Sequence, residues 1–190
     1  MKKIPESELY EPTRTFLQAK FRNSFRNCHL EITASGKFEE ALKKAVLHNI
    51  VFSFLKGGGS PDLAGFIVDE YGPKDFITVE IKSEKITIKD IGQAKLYGDL
   101  FNAKYAFLIS PQPIPEEIKR LHQELFILNR FTQYYKLYIA QLELSDLVMV
   151  ATSRQGVKEG KGWLEPQGVE EDWFPESPFP IAAKSFLELA

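Results

Sequence analysis

The chain has 190 residues, 44% of them hydrophobic, with 24 Lys and Arg against 26 Asp and Glu. That is enough apolar material for one ordinary soluble domain with a real core, so disorder is not the expectation. A formal charge of −2 argues against a wholly basic nucleic-acid-binding surface, and a single cysteine, Cys28, cannot form an internal disulfide.

The charge is unevenly spread. Residues 1–164 hold 23 Lys and Arg and 20 Asp and Glu, whereas residues 165–190 hold one Lys and six acids. The body is therefore mildly basic, which permits phosphate binding. The N-terminus, Met1-Lys2-Lys3-Ile4-Pro5-Glu6, lacks a signal-peptide core and no apolar run reaches membrane length, Leu147 to Ala151 being among the longest. A cytoplasmic protein without a membrane partner is the expectation.

Residues 4–25 read as a helix, with Leu9, Phe16, Leu17, Phe21 and Phe25 at helical spacing, Ser7 as N-cap and Pro12 near the first turn. His29 to Thr33 predicts a strand. Lys37 to His48 predicts a helix with Phe38, Ala41, Leu42 and Ala45 inward, and Ile50 to Leu55 a strand. The run Lys56-Gly57-Gly58-Gly59-Ser60 has no Gly-Lys-Ser/Thr ending, so it reads as a tight backbone corner rather than a phosphate loop. Arg22, Arg26, Lys43, Lys44 and Lys56 could line an approach for a phosphate backbone or be scattered solvated cations.

Residues 61–82 carry the chemistry. Pro61-Asp62-Leu63-Ala64-Gly65-Phe66-Ile67-Val68 and Phe76-Ile77-Thr78-Val79-Glu80-Ile81-Lys82 are rich in β-branched and aromatic residues and flank Tyr71-Gly72-Pro73, the pattern of a β-hairpin. Alternation puts Glu80 and Lys82 on one face and Ile81 on the other, with Asp62 at the same end of the hairpin as Glu80. Two carboxylates can hold a hard cation, and a lysine beside them can orient or deprotonate water and offset phosphoryl charge. A lone Glu-x-Lys is more often a solvated strand edge; its setting here is what gives it weight.

Thr87 and Asp90 form a candidate capping box for a helix from 88 to 103. Gln93 and Tyr97 share a face of it with Lys89, while Ile91, Ala94 and Leu100 face the sheet. Tyr105 to Ile109 predicts a buried strand. Pro115 opens a helix whose core face is Ile118, Leu121, Leu125 and Leu128, and Leu137 to Leu144 predicts a last strand. His29, His48 and His122 are isolated and read as structural, without zinc spacing. The predicted division is a domain over 1–152 and an irregular acidic, aromatic tail over 153–190. In that tail Trp163, Trp173, Phe174 and Phe179 suit packing on the domain or a partner.

Pro61-Asp62 followed by Glu80-Ile81-Lys82 resembles the PD-(D/E)XK nuclease superfamily, and Gln93-Ala94-Lys95-Leu96-Tyr97 looks like the Gln-x-x-x-Tyr element of its RecB-like branch. The resemblance covers roughly residues 5 to 110. It implies an α/β fold with a restriction-endonuclease-like core, a mixed β-sheet flanked by α-helices. It implies a Mg²⁺- or Mn²⁺-dependent nuclease in which Asp62, Glu80 and the carbonyl of Ile81 bind metal and Lys82 activates or stabilises. Gln93 braces the site or reaches a phosphate, and Tyr97 contacts the substrate strand. A further helix carboxylate is implied, with Glu8 as the first choice on its face and Glu11 as the reserve. DNA is the expected partner, with RNA as the other polymer and a homodimer as the candidate assembly. The rival reading is a nucleic-acid-binding or scaffold protein that keeps the fold without cutting.

Overall fold

The hairpin of residues 61–82 forms as its composition predicts and becomes the middle of a larger sheet. The computed structural model describes residues 4–25, 27–48, 51–53, 55, 59–130, 137–142 and 147–151, with backbone alone at 24, 74 and 147–151. Its strands are β1 (Asn27–Ile32), β2 (Leu63–Asp69), β3 (Gly72–Ile81), β4 (Tyr105–Ser110), β5 (Leu137–Leu142) and β6 (Leu147–Ala151). They lie side by side in chain order as one mixed six-stranded sheet. β1–β2, β2–β3 and β5–β6 are antiparallel, while β3–β4 and β4–β5 are parallel. Parallel neighbours need crossovers. These contain α3 (Ile88–Leu100) and α4 (Glu116–Leu125); α1 (Glu6–Ser24) precedes β1, and α2 (Glu40–Ala45) follows it.

Alternation assigns the faces. Leu30, Leu63, Ile77, Val79, Ile81, Tyr105 and Phe107 pack with Leu9, Leu17 and Phe21 of α1. On the opposite face Ala64 and Phe66 meet Leu42, Tyr97 and Phe101. There Ala106, Leu108 and Ile139 meet Ile91, Ala94 and Ile118. Thr78 and Glu80, between the inward isoleucines and valine of β3, therefore face α3. The hairpin turns through Glu70 and Tyr71, with Asp69 opposite Gly72, whose φ of 116° suits glycine. Pro73, which has no N–H to donate, enters at the register shift beside Val68.

Several expectations are corrected. Residues 51–53 and 55 are helical rather than a strand, and Val51, Phe52 and Leu55 are buried at i, i+1 and i+4, a helical spacing. α2 is shorter than 37–48, and Ala41 is exposed. α4 buries Ile118 and His122 and leaves Leu125 66% exposed, so its core face is rotated from the predicted leucine row. The N-cap of α1 is Pro5, without a side-chain cap bond, rather than Ser7. Arg26, Lys56 and the tail from 153 lie outside the described residues.

The β1–β2 contact is unusually intimate at Gly65, where a Cβ would stand 2.0 Å from the His29 carbonyl oxygen. Backbone cannot yield as a side-chain tip can, so Gly65→Ala is expected to destabilise the domain by ~3 kcal/mol. Denaturant unfolding at the wild-type midpoint would contradict that packing.

Candidate active site

The site lies where β2 begins and β3 ends. Leu63 pairs with Val79; one step further, that register sets Asp62 opposite Glu80. Asp62 Oδ2 accepts a 2.7 Å bond from the Ile81 N–H, which anchors the carboxylate on the adjacent strand. The Tyr10 hydroxyl of α1 donates to the same side chain. Lys82 Nζ stands 2.7 Å from Glu80 Oε1 and 3.8 Å from Oδ1 of Asp90, in the first turn of α3. The predicted Thr87–Asp90 capping box forms, so helix initiation and the lysine's second anion are the same side chain.

Burial sets the electrostatics. Asp62 is 8% exposed and Glu80 3%. Burial, then the charge of Asp62, pushes the Glu80 carboxyl up to about 7, with Lys82 pulling the other way and Glu6 adding to the rise. Asp62 is also raised, chiefly by burial, against the lowering effects of the Ile81 N–H, Tyr10 and Lys82. Burial works against the Lys82 ammonium, but the bond and charge of Glu80, with Glu6 and Asp90, outweigh it and raise its pKa. Glu80 Oε2 is buried and has no hydrogen-bond partner among the described residues. A buried carboxylate oxygen left bare is costly unless something positive or a proton reaches it.

The structure brings together Asp62, Glu80, Ile81 and Lys82, with Gln93 and Tyr97 nearby. Gln93 Nε2 donates to the Tyr97 hydroxyl at 3.1 Å. Tyr97 is only 4% exposed; burial raises its pKa, and the charges of Glu80 and Asp62 add to the rise. Its hydroxyl is 3.0 Å from where a Cβ on Gly59 would lie, and Gly59 has φ of 91°. Gly59 thus packs on the tyrosine at a backbone turn, while the rest of the glycine run, residues 56–58, lies outside the described residues. Tyr97 is packed into the core with Phe101 and Leu42, which leaves almost none of its surface for the expected contact with a substrate strand.

Glu8 is not part of this constellation. It is exposed, and the acid of α1 whose charge acts on Asp62, Glu80 and Lys82 is Glu6, half-buried, with Oε1 3.3 Å from the Ser83 N–H. At ~100° per residue Glu6, Tyr10, Thr13 and Leu17 fall on one side of α1 and Glu8 on the other. Glu11, the reserve, is tied to Arg14 and Thr15 on the exposed side. Sequence reasoning missed Glu6 and Tyr10; the i, i+4 row running into buried Thr13 and Leu17 was the available signal.

A second group, His29, Glu31 and Glu39, offers ligand atoms within 4.8 Å of one another. Glu31 already uses both oxygens, on the His29 ring at 2.8 Å and the Glu39 N–H at 2.8 Å. It therefore fastens the start of α2 to β1, in keeping with a structural role for His29. Among the described residues no helix is long and apolar enough to cross a membrane. Comparison of the chain with family models, curated proteins and solved structures found no match.

Proposed function

We propose that the protein is a metal-dependent nuclease that hydrolyses phosphodiester bonds in DNA. The observation that carries this is the bare Glu80 Oε2, buried beside Asp62 at the end of two strands, with a lysine on the other oxygen. An all-oxygen carboxylate pair of this kind fits Mg²⁺ or Mn²⁺. The element order α1-β1-α2-β2-β3-α3-β4, with Asp62 at the start of β2 and Glu80-Ile81-Lys82 at the end of β3, adds support to a restriction-endonuclease-like reading.

Asp62 and Glu80 would hold the ion, with the Ile81 carbonyl as the third protein oxygen. When bound, the cation lowers the pKa of water and offsets charge on the phosphate. Lys82, held between Glu80 and Asp90, orients the attacking water and stabilises the negative charge that grows on the phosphorus oxygens. Glu6 supplies the additional helix carboxylate at the site's edge. The Gln93–Tyr97 pair keeps α3 and the Gly59 corner in register beneath Asp62.

The test is incubation with Mg²⁺ or Mn²⁺ and single-stranded, duplex and branched DNA, with RNA alongside. Cleavage that chelator stops is expected on at least one DNA. Binding of those polymers without cleavage would favour the non-cutting reading. Within the site, Glu6→Gln is expected to lower the cleavage rate by roughly tenfold, and Glu8→Gln to leave it unchanged, as outer groups around a metal typically act. The reverse order in a steady-state assay would rotate α1 back to the face expected from sequence.

A further inference from the structure

Thr33 follows the last residue of β1 and is fully buried. It engages three consecutive residues that end in Asp62. Its N–H donates to the Asp62 carbonyl at 2.8 Å. Its hydroxyl donates to the Pro61 carbonyl at 2.6 Å. Its own carbonyl accepts the Ser60 hydroxyl at 2.5 Å, and also the Gly36 N–H at 2.8 Å, which closes a tight turn.

The first of these contacts merely extends the β1–β2 ladder past Ile32 and Leu63, and any residue but proline could make it. The other two are different in kind, because each needs a side-chain hydroxyl. They fall where the chain most needs holding. Asp62 comes directly after Gly57-Gly58-Gly59-Ser60-Pro61, a run with great backbone freedom and, at Pro61, no N–H to pin. Without a clasp the Asp62 backbone would be set only by the strand that follows it.

We infer that Thr33 is the positioning residue of this site, fixing the backbone of Asp62 so that its carboxylate meets Glu80 at ligand distance from one ion. This rests on the reading of Asp62 and Glu80 as cation ligands. The Ile81 N–H and Tyr10 orient the carboxylate, and Thr33 holds the backbone that carries it. Ligand atoms must be placed to a fraction of an ångström, and groups that orient ligands typically govern metal affinity by ten- to a hundredfold.

Thr33→Val keeps the shape and the ladder bond and removes the hydroxyl; Thr33→Ser keeps the hydroxyl. The experiment is calorimetric titration of the 190-residue chain with Mn²⁺, beside thermal melts in chelator. Thr33→Val is expected to bind Mn²⁺ about tenfold more weakly and Thr33→Ser to bind as wild type does. Ser60→Ala, which removes the other hydroxyl bond and leaves the core intact, is expected to weaken binding in the same direction. If Thr33→Val melts lower but binds Mn²⁺ as wild type does, Thr33 is a fold residue only and the inference is overturned. Should Thr33→Val fail to fold, unchanged affinity in Ser60→Ala overturns it instead. Wild type that binds no Mn²⁺ removes the cation-site reading itself, and the inference with it.

Discussion

Asp62→Asn and Glu80→Gln are each expected to abolish metal-dependent cleavage, and Lys82→Ala to lower its rate by ~100-fold or more while leaving metal bound. The two carboxylates are nearly isosteric with their amides, so the fold survives and only the anionic oxygens are lost. Glu80 Oε2 has no other partner among the described residues, so nothing in the site substitutes for it. Lys82 differs in kind: its ammonium sits 2.7 Å from Glu80 Oε1 and can turn to growing charge on a phosphate. A preorganised charge of that sort is worth a factor of ~10² to 10³ in rate. The check is single-turnover cleavage at saturating Mn²⁺ with parallel Mn²⁺ binding. Full activity in any of the three variants places the chemistry elsewhere.

In chelator the same site is expected to make the domain less stable as the pH rises from about 4.5 to about 7. The sign follows from the raised Glu80 carboxyl, which goes from an ordinary 4.5 to about 7. The folded state holds that proton more tightly than the unfolded chain does. Its contribution is therefore complete below the unfolded value and is lost as the pH climbs through the folded one. At ~1.4 kcal/mol per unit the window is worth ~3 kcal/mol, or a fall of ~10 °C in Tm for a domain of this size. Asp62, also raised, acts in the same sense. Lys82 is raised as well, so its stabilisation is present throughout the window and is lost only at alkaline pH. Glu80→Gln, permanently neutral, should flatten the profile and melt above wild type at pH 7 in chelator. Melts across that range at constant ionic strength check it; parallel curves for the two proteins would show Glu80 to be solvated and the cluster absent.

The hairpin was legible because its signals are local. β-Branched arms, a Gly-Pro turn and period-two alternation put Asp62 and Glu80 at one end and split Glu80 from Ile81 without knowledge of anything distant. The α3 cap and the Gln93–Tyr97 row were legible for the same reason, being fixed by spacings of three and four. What failed depended on packing. Leu9, Phe16, Leu17, Phe21 and Phe25 spread over so wide an arc that α1 could be turned to face the sheet in more than one way, and the choice fell on Glu8, with Glu11 in reserve, while Glu6 was not weighed. Residues 51–55 form a short apolar run, for which strand and helix are indistinguishable by periodicity. Leu147 to Ala151 was noted only as an apolar run, and pairing with β5 makes it a strand. Thr33 carries no motif: two of its contacts are to residues 27 and 28 positions away, through carbonyl groups that sequence patterns do not register. Tyr97 was placed on the right face, but its burial under the Gly59 corner could not be read from the helix alone.

The most direct test of the central claim is Mn²⁺ binding to the 190-residue chain at pH 8 without substrate, followed by loss of the free-ion signal in electron paramagnetic resonance. Wild type is expected to bind at least one Mn²⁺ per chain, and Asp62→Asn and Glu80→Gln to lose that binding, while Glu8→Gln retains it. Equal binding in wild type and both carboxylate variants, or none in wild type, would contradict a cation site at the meeting of β2 and β3.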